Sequence, residues 1–244
     1  MPLTCLPILL LITQGPSTPL ALDQLLARHV AALGGTAKLQ GQRSRRTTTS
    51  LQGLAPFEVP ILVEQTREGR YRREVSIQGT TQITAFDGVA GWKVDPFASG
   101  STLPQELKGD ELQDLLEAKD FDGDLVGAVA KGHTLRMEGL ERLPSGSAYR
   151  LELQLASGRR STVWLDAATF LEVKRLQTRP QQGQPLTMEL RSEDYRDVEG
   201  VKVPFTVTLT PQGAERGLVL RTLRVEVNVA LPEARFKRPG DERL

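Results

Sequence analysis

The feature of this sequence that most constrains its fold is an alternation of apolar and polar side chains with a period of two residues. The alternation begins near Arg43 and recurs in segment after segment toward the C-terminus. Successive side chains of a β-strand point to opposite faces of a sheet, so this period predicts strands. Strands with one apolar and one polar face are typical of antiparallel sheets. Clear examples are the apolar sets Leu151, Leu153 and Leu155; Val203, Phe205, Val207 and Leu209; and Leu223, Val225, Val227 and Val229.

Turn-forming residues divide the alternating region into about eleven strands, with a further strand near the C-terminus. The predicted strands are 43–54, 57–67, 70–78, 81–87, 90–95, 133–142, 147–156, 160–166, 170–179, 186–196 and 203–210, and the further strand is 218–229. Glu68-Gly69 and Ser157-Gly158 are typical of tight hairpin turns. No linker or repeat divides the chain, so we expect a single domain over residues 22–240.

Two regions carry helical patterns instead. Residues 22–33 have apolar side chains at helical spacing and end at Gly34-Gly35, and a short helical turn is expected at 36–39. The second region, 103–131, interrupts the strands. Leu107, Leu112, Leu115, Leu116 and Phe121 predict one helix there, and Leu125, Val126 and Val129 predict another. We expect 103–131 to be a lid, because of its apolar helical face and the glycines at 100, 109, 123, 127 and 132.

The number of strands predicts an internal cavity. Eleven strands side by side would span on the order of 50 Å, whereas a helix is only about 10–12 Å across. Two or three short helices cannot cover one apolar face of such a sheet, and a soluble protein does not leave so large a face exposed. The fold class expected is therefore mainly β: a single antiparallel, strongly curved sheet of about eleven strands that forms a barrel or an open half-barrel, with an N-terminal helix and a mid-chain helical insertion that plug or cover its opening.

The N-terminus predicts export. A short apolar run over Leu6–Ile12 precedes small residues around Ser17 and Ala21, so we interpret 1–21 as a cleaved signal peptide and expect the protein in the periplasm. The single cysteine, Cys5, lies ahead of the apolar run, so no lipid-attachment motif is present. The remaining chain has no apolar stretch approaching the ~20 residues that a membrane-spanning helix needs.

Recognisable catalytic or metal-binding chemistry is lacking. The two histidines, His29 and His133, are isolated in sequence, and a structural role is the simpler interpretation of each. The segment from Asp120 to Asp124 resembles a calcium loop only superficially, because Leu125 and Lys131 occupy the positions that need Gly and Glu. A formal net charge of +1 does not favour nucleic acid. We expect no cofactor, no metal, no nucleic-acid partner and no catalytic activity.

Several short motifs resemble one protein family. They are Ala32-Leu33-Gly34-Gly35, Phe86-Asp87-Gly88 with Gly91-Trp92, Asp120-Phe121-Asp122-Gly123, Gly132-His133, the run from Asp194 to Pro204, and Phe236-Lys237. Together they resemble the bacterial outer-membrane lipoprotein-sorting proteins related to the LolA and LolB carriers, over roughly residues 24–238. The resemblance implies an unclosed β-barrel with a helical lid and, as ligands, the acyl chains of lipids or lipoproteins. It assigns no functional residue.

Strand alternation selects the candidate cavity residues. We expect the hydrophobic cavity to be lined by Tyr71, Val75, Ile77, Ile83, Trp92, Leu151, Leu153, Met188 and Phe205, with Leu112, Leu116 and Phe121 contributed by the lid. Arg73 shares a face with Tyr71 and Val75, so we expect it at a rim that attracts anionic headgroups. The other arginines of the first three strands are interpreted more simply as solvated positions that discourage aggregation.

Three functions remain compatible with the sequence. The first is a periplasmic carrier of lipids or lipoproteins that serves outer-membrane lipoprotein sorting or envelope lipid transport, with an envelope transport complex as a further partner. The second is an interaction or sensor module on the same fold, which would bind a protein partner and leave its cavity empty. The third is an envelope enzyme such as a hydrolase, which would need a titratable cluster inside the cavity.

Overall fold

The computed structural model describes residues 20–181 and 184–240, and its elements follow the predicted alternation closely. Its helices are α1 (Leu22–Ala32), α2 (Thr36–Gly41), α3 (Pro96–Ser99) and α4 (Gly109–Ala118). Its strands are β1 (Ser44–Gln52), β2 (Val59–Thr66), β3 (Tyr71–Ile77), β4 (Thr80–Phe86), β5 (Gly91–Val94), β6 (Gln105–Glu106), β7 (Thr134–Leu143), β8 (Gly146–Gln154), β9 (Arg160–Asp166), β10 (Glu172–Gln181), β11 (Gln184–Val198), β12 (Val201–Pro211) and β13 (Leu218–Val227). Most of the signal-peptide prediction, residues 1–19, lies outside the described residues.

All of these strands form one antiparallel sheet in the order β6-β5-β4-β3-β2-β1-β13-β12-β11-β10-β9-β8-β7. The mainly β, single-sheet prediction is confirmed. The strand count needs correcting from about eleven, with a further C-terminal one, to thirteen. The strand without a counterpart in the prediction is β6, whose two residues, Gln105 and Glu106, are too few to show an alternation.

The helical prediction for 103–131 is correct in one part and wrong in another. Helix α4 contains Leu112, Leu115 and Leu116 as expected. Residues 124–132, however, form a series of turns rather than a second helix. The physical reason is Gly127, whose φ of +67° reverses the chain where Leu125, Val126 and Val129 would have needed a continuous helix.

Helices α1 and α4 lie on the same face of the sheet, which we call the inner face. Under α1, Leu25 packs with Leu151, Leu153, Val163 and Leu165 of strands β8 and β9. Under α4, Leu115 packs with Tyr71, Phe86 and Leu107. The strand register and the alternation within each intervening strand place Tyr71 and Leu151 on the same face, so the two helical cores occupy opposite ends of one face.

Two contacts explain glycines in the family-like motifs. A β-carbon at Gly34 would lie 2.0 Å from the carbonyl oxygen of Gly200, so the end of α1 can approach the β11–β12 turn only without a side chain. The contact is fixed by a hydrogen bond of 2.8 Å from the Lys202 amide to the Leu33 carbonyl. Likewise, a β-carbon at Gly91 would lie within 2.9 Å of Leu112 and Leu115. Each glycine therefore allows a helix to pack closely on the inner face, because it has no side chain.

The sheet is strongly curved. Helix α4 packs on β3 and β4. The β8–β9 turn lies near the opposite edge of the sheet, yet it contacts the same helix. Arg159 of that turn contacts Asp110, Asp114 and Glu117 of α4. Strands β3 and β9 are seven positions apart in the sheet, which is roughly 34 Å if flat. Only a curled sheet brings them to one helix, and its edges β6 and β7 remain unpaired, so the barrel is not closed.

The other face, which we call the outer face, is covered in part by the C-terminal segment 228–240. Phe236 is fully buried there, and the indole Nε1 of Trp92 donates a hydrogen bond of 2.8 Å to the Phe236 carbonyl. Trp92, Ala85 and Val94 form a small core with Ile83 on this side. The assignment of Ile83 and Trp92 to the inner cavity is therefore wrong. Both faces of β4 and β5 are covered, so apolar side chains lie on both.

Helices of the described residues are too short and too polar to cross a membrane.

Candidate functional site

Six apolar side chains on the inner face of the central strands lie outside both helical cores. We call this set the trough: Met188 and Leu190 of β11, Val207 and Leu209 of β12, and Leu218 and Leu220 of β13. All six are partly exposed rather than buried. Leu218 and Leu220 touch the edge of a core formed by Leu51, Val59, Ile61 and Val75. The trough is thus a continuous apolar surface between the two helices that neither helix covers.

A cavity of about 470 Å³ lies at the α1 end of the inner face. It is lined by Tyr71 of β3 and by Glu172 and Arg175 of β10, strands that the curvature brings together. Phe121 and Leu125 of the mid-chain segment close one side. The lining mixes apolar side chains with charged groups, so this cavity has a polar end.

A second cavity, of about 850 Å³, lies between α4, the β8–β9 turn and strands β10 and β11. Leu116 and Phe121 line it from the mid-chain segment, and Leu155 and Leu190 line it from the sheet. Leu190 also belongs to the trough, so this cavity and the trough are continuous. Phe121, Asp124 and Arg175 line both cavities, which places the loop around Phe121 between them.

The three aspartates of that loop are each paired with a cation. Asp120 accepts hydrogen bonds of 2.7 Å from Lys131, and Asp122 accepts bonds of 2.7 and 2.9 Å from Arg67. Asp124 accepts bonds of 2.5 and 2.9 Å from Arg175. In the described part of the chain, these residues form no cluster that could hold a metal ion. The Asp120–Asp124 motif therefore anchors the loop to the sheet.

Burial and charge pairing shift the pKa values of this network in opposite directions. Burial alone would lower the pKa of Arg175, but Glu172 and Asp124 outweigh it and raise that pKa well above its ordinary value. Burial would likewise raise the pKa of Asp124, yet Arg175 holds it below its usual range. Both groups are therefore charged in the folded protein, and their ion pair is a fixed part of the cavity wall.

Phe121 lies between two guanidinium groups. The Arg45 and Arg67 guanidinium carbons are 4.8 and 4.7 Å from its ring centroid. Arg45 also donates a hydrogen bond of 3.0 Å to the Phe121 carbonyl, and burial lowers the pKa of Arg45. Two of the basic residues that we interpreted as solvated thus hold the loop in place, through cation–π contacts and hydrogen bonds.

Helix α4 is connected across the opening by ion pairs, which we call the latch. Arg159 contacts Asp114 and, at 3.3 and 3.5 Å, Asp110 and Glu117. Arg179 of β10 also contacts Glu117. The five glycines of this region, at 100, 109, 123, 127 and 132, all have positive φ. The geometry expected of a lid is therefore present: a helix between glycine turns, held to the far wall by charge.

His29 and His133 do not approach each other to form a catalytic pair. His29 is buried and its Nδ1 lies 2.8 Å from the Phe170 carbonyl, which requires a proton on Nδ1. Burial lowers the pKa of His29, so the ring is neutral near pH 7. His133 accepts a hydrogen bond from the Ala156 amide on the other side of the loop. Each histidine thus has a local structural contact, as the simpler interpretation expected.

The structure brings together only part of the predicted cavity set. Tyr71, Leu116 and Phe121 line a cavity, and Met188 lies in the trough. Leu112, Val75 and Ile77 pack in the cores beside them. Leu151 and Leu153 are also on the inner face, but α1 covers them completely. Phe205 lies against the Arg196 guanidinium at 4.4 Å and lines neither cavity.

Arg73 is exposed on the inner face, opposite Val63 and Thr84. Within the described residues it has no ion pair.

Sequence analysis did not predict five of the six trough residues: Leu190, Val207, Leu209, Leu218 and Leu220. The two-residue alternation could have identified them, since it places them on the inner face. No predicted helix is long enough to cover the centre of the sheet, so these side chains could have been expected to stay open.

Comparison with known proteins supports the architecture. No family model matches the chain, and no curated protein does. Among solved structures, a LolA superfamily protein from Nitrosomonas europaea is 16% identical with a TM-score of 0.60, covering 88% of this chain and 96% of its own. A DUF1329 family protein from Desulfovibrio piger is 12% identical with a TM-score of 0.60, covering 91% and 98%.

A third solved structure is a Vibrio parahaemolyticus domain assigned as an outer membrane lipoprotein-sorting protein. It is 14% identical with a TM-score of 0.55, covering 87% of this chain and 94% of its own. At these identities the likeness concerns the fold, and it extends over nearly the whole described chain. The chain has a LolA-like fold, an unclosed and curled antiparallel barrel with helices on its inner face.

Proposed function

We propose that this chain is a non-catalytic periplasmic carrier that holds the acyl chains of a lipid or lipoprotein in the trough and the adjoining cavity. Its role would lie in outer-membrane lipoprotein sorting or envelope lipid transport. The observation that carries the proposal is the trough itself, six apolar side chains on a concave surface that no helix of the described chain covers. The LolA-like fold supports it, since two of the similar structures are a LolA superfamily protein and a lipoprotein-sorting domain.

The partial exposure of the trough suits a carrier that must also release its ligand. Burying an acyl chain contributes about 0.8 kcal/mol per CH₂, so complete burial of a sixteen-carbon chain would give on the order of 12 kcal/mol. Such a complex would dissociate very slowly. A trough open along one side buries each CH₂ only in part, and the latched helix α4 would be a removable cover for the adjoining cavity only.

Arg73 is the proposed contact for an anionic headgroup. It is exposed on the inner face, between Tyr71 and Val75 on β3, and has no ion pair with any residue that the structure describes. A headgroup there would let the acyl chain run along the apolar surface toward β13.

The test is a displacement titration with a fluorescent fatty acid on matched variants of β12. Val207 lies on the inner face opposite Leu220, and its neighbour Thr208 lies on the outer face; both are partly exposed. Val207→Arg places a charge where the acyl chain would lie and should weaken binding about tenfold or more. Thr208→Arg adds the same charge to the same strand and should leave the affinity unchanged.

The same titration examines Arg73. Arg73→Ala should weaken binding of anionic lipid and leave binding of neutral lipid unchanged. Equal affinities of Val207→Arg and the unmodified protein would contradict the trough, and equal weakening for both lipids in Arg73→Ala would contradict the headgroup contact.

A further inference from the structure

The C-terminal segment forms a cavity on the outer face, away from the trough. After β13 the chain crosses β1 to β5 and ends its described part at Gly240. The segment is held by the buried Phe236 ring and by the hydrogen bond from Trp92 to the Phe236 carbonyl. Between it and β3 lies a cavity of about 590 Å³. These anchors give the cavity a fixed wall.

Cations dominate the lining of this cavity. Its walls include Arg72, Arg235, Lys237 and Arg238, and the remaining lining residues are prolines, an alanine and a glycine. None of the described lining residues is acidic. Glu233, the one acidic residue in 228–240, is turned away and pairs with Arg70 at 2.6 Å. The cavity is therefore positively charged in a protein whose overall formal net charge is only +1.

Carboxylates beneath the cavity neutralise only part of this charge. Glu64 is 1% exposed and pairs with Arg46 and Arg235, while Glu74 pairs with Arg72 and Arg235. Three arginines thus share two carboxylates. Lys237 is exposed with no ion pair among the described residues, and Arg238 donates a hydrogen bond of 2.8 Å to the neutral Pro104 carbonyl. Among the described residues, the four cations that line the cavity thus have only two carboxylates near them, and Arg46 also pairs with one of these carboxylates.

The guanidinium groups keep free donors. Arg72 uses Nε and Nη1, and Arg235 uses Nε and Nη2, for their protein partners. Arg238 uses only Nη2. Each of the three therefore retains at least one nitrogen with no acceptor in the described chain. Guanidinium forks match the oxygens of a phosphate group, and a phosphate neutralises more than one cation.

We propose that this cavity is a binding site for a phosphate group, carried either by a headgroup at a membrane surface or by a phosphorylated compound in solution. The site lies on the outer face and is independent of the proposed acyl-chain binding on the inner face. The carboxylates Glu64 and Glu74 position Arg72 and Arg235, and Lys237 and Arg238 supply the uncompensated charge.

The test begins with inorganic phosphate, titrated calorimetrically into the full chain in a phosphate-free buffer. Saturable binding is expected, and the double variant Lys237→Gln/Arg238→Gln should bind about tenfold more weakly. Arg72 and Arg235 are left intact because the buried Glu64 and Glu74 depend on them. The matched control, Arg136→Gln/Arg224→Gln, removes two exposed cations outside the cavity and should keep the affinity within about twofold.

A vesicle arm separates the two sources of phosphate. The protein is sedimented with phosphatidylcholine vesicles, with or without phosphatidylglycerol. If the anionic vesicles capture the protein and Val207→Arg but not Lys237→Gln/Arg238→Gln, the site binds a membrane headgroup. Binding of inorganic phosphate without vesicle capture assigns it to a soluble phosphorylated compound.

Three results would overturn the proposal. The first is no saturable binding of phosphate and no capture by anionic vesicles. The second is equal weakening in the control variant. The third is vesicle capture that survives in Lys237→Gln/Arg238→Gln and disappears in Val207→Arg, because capture would then come from the trough.

Discussion

At the residue scale, His29 is a buried titratable side chain in the wall of the first cavity. Its Nδ1 proton is held by the Phe170 carbonyl, and its burial favours the neutral ring. Glu172 and Asp124 nearby favour the charged ring, but they are committed to Arg175, so burial prevails. The folded-state pKa of His29 therefore lies below 6.5, the ordinary value that applies in the unfolded chain.

This shift predicts how stability depends on pH. Below pH 6.5 the unfolded chain takes up a proton at His29 before the folded protein does, so the free energy of unfolding falls as the pH decreases below about 6.5. His29→Asn retains a donor for Phe170 but does not titrate, and it should remove much of this slope. His133→Asn is the matched control and should keep it. Denaturant titrations at each pH measure the effect, and the same slope in His29→Asn and the unmodified protein would contradict it.

The residue scale is also where sequence reasoning is weakest. The inner-face set on β3 (Tyr71, Val75 and Ile77) follows directly from alternation, and the register confirms its common face. Ile83 and Trp92 alternate equally well, yet they face outward because the C-terminal segment covers them. A local pattern gives the period of a strand, but which face is inside depends on what a distant segment covers.

At the element scale, the mid-chain segment combines features of a cover and of a fixed wall. The loop 120–124 is tied to the sheet by the ion pairs of Asp122 with Arg67 and Asp124 with Arg175, whereas α4 is tied across the opening mainly by Arg159 and Arg179. The partners Asp110 and Asp114 are well exposed to solvent, with side-chain exposures of 66% and 49%. Ion pairs of that kind contribute little each, so the latch should open at modest cost.

Hydrogen exchange tests this proposed lid. In the ligand-free protein, amides of 109–118 should exchange faster than those of β8. Arg159→Gln should raise their exchange by about fivefold, since loss of the Arg159 ion pairs of the latch costs about 1 kcal/mol. Arg196→Gln, which breaks an exposed pair with Asp194 outside the lid, is the control. Protection of 109–118 as strong as that of β8 would show that α4 is not a lid.

The elements themselves were largely predictable from sequence. Strands of seven or more residues show their period, and Gly34-Gly35 marks the end of α1. The two-residue strand β6 and the turns of 124–132 were not predictable in the same way. β6 exists only because Trp92 and Lys93 provide partners for Glu106 and Gln105. The turns follow from the conformation of Gly127, whose sign of φ the sequence does not reveal.

At the scale of the whole molecule, the width of the sheet determines its curvature, and the helices determine what remains open. Thirteen strands cannot be covered flat, so they curl until the β8–β9 turn reaches α4. Helices α1 and α4 then fill the two ends of the inner face and leave the trough between them. The strand count alone predicts that the curled sheet encloses a cavity. It does not predict where the cavity lies, because that depends on where two distant helices dock.

The most direct test of the proposed carrier function is native mass spectrometry of the protein isolated from its own cells under conditions that preserve non-covalent complexes. For a carrier we expect species heavier than the chain by the mass of an acyl-chain lipid, and the loss of that added mass in Val207→Arg but not in Thr208→Arg. A spectrum showing only the bare chain, even after incubation with excess fatty acid, would rule out the carrier and favour a module that binds a protein partner with its cavity empty.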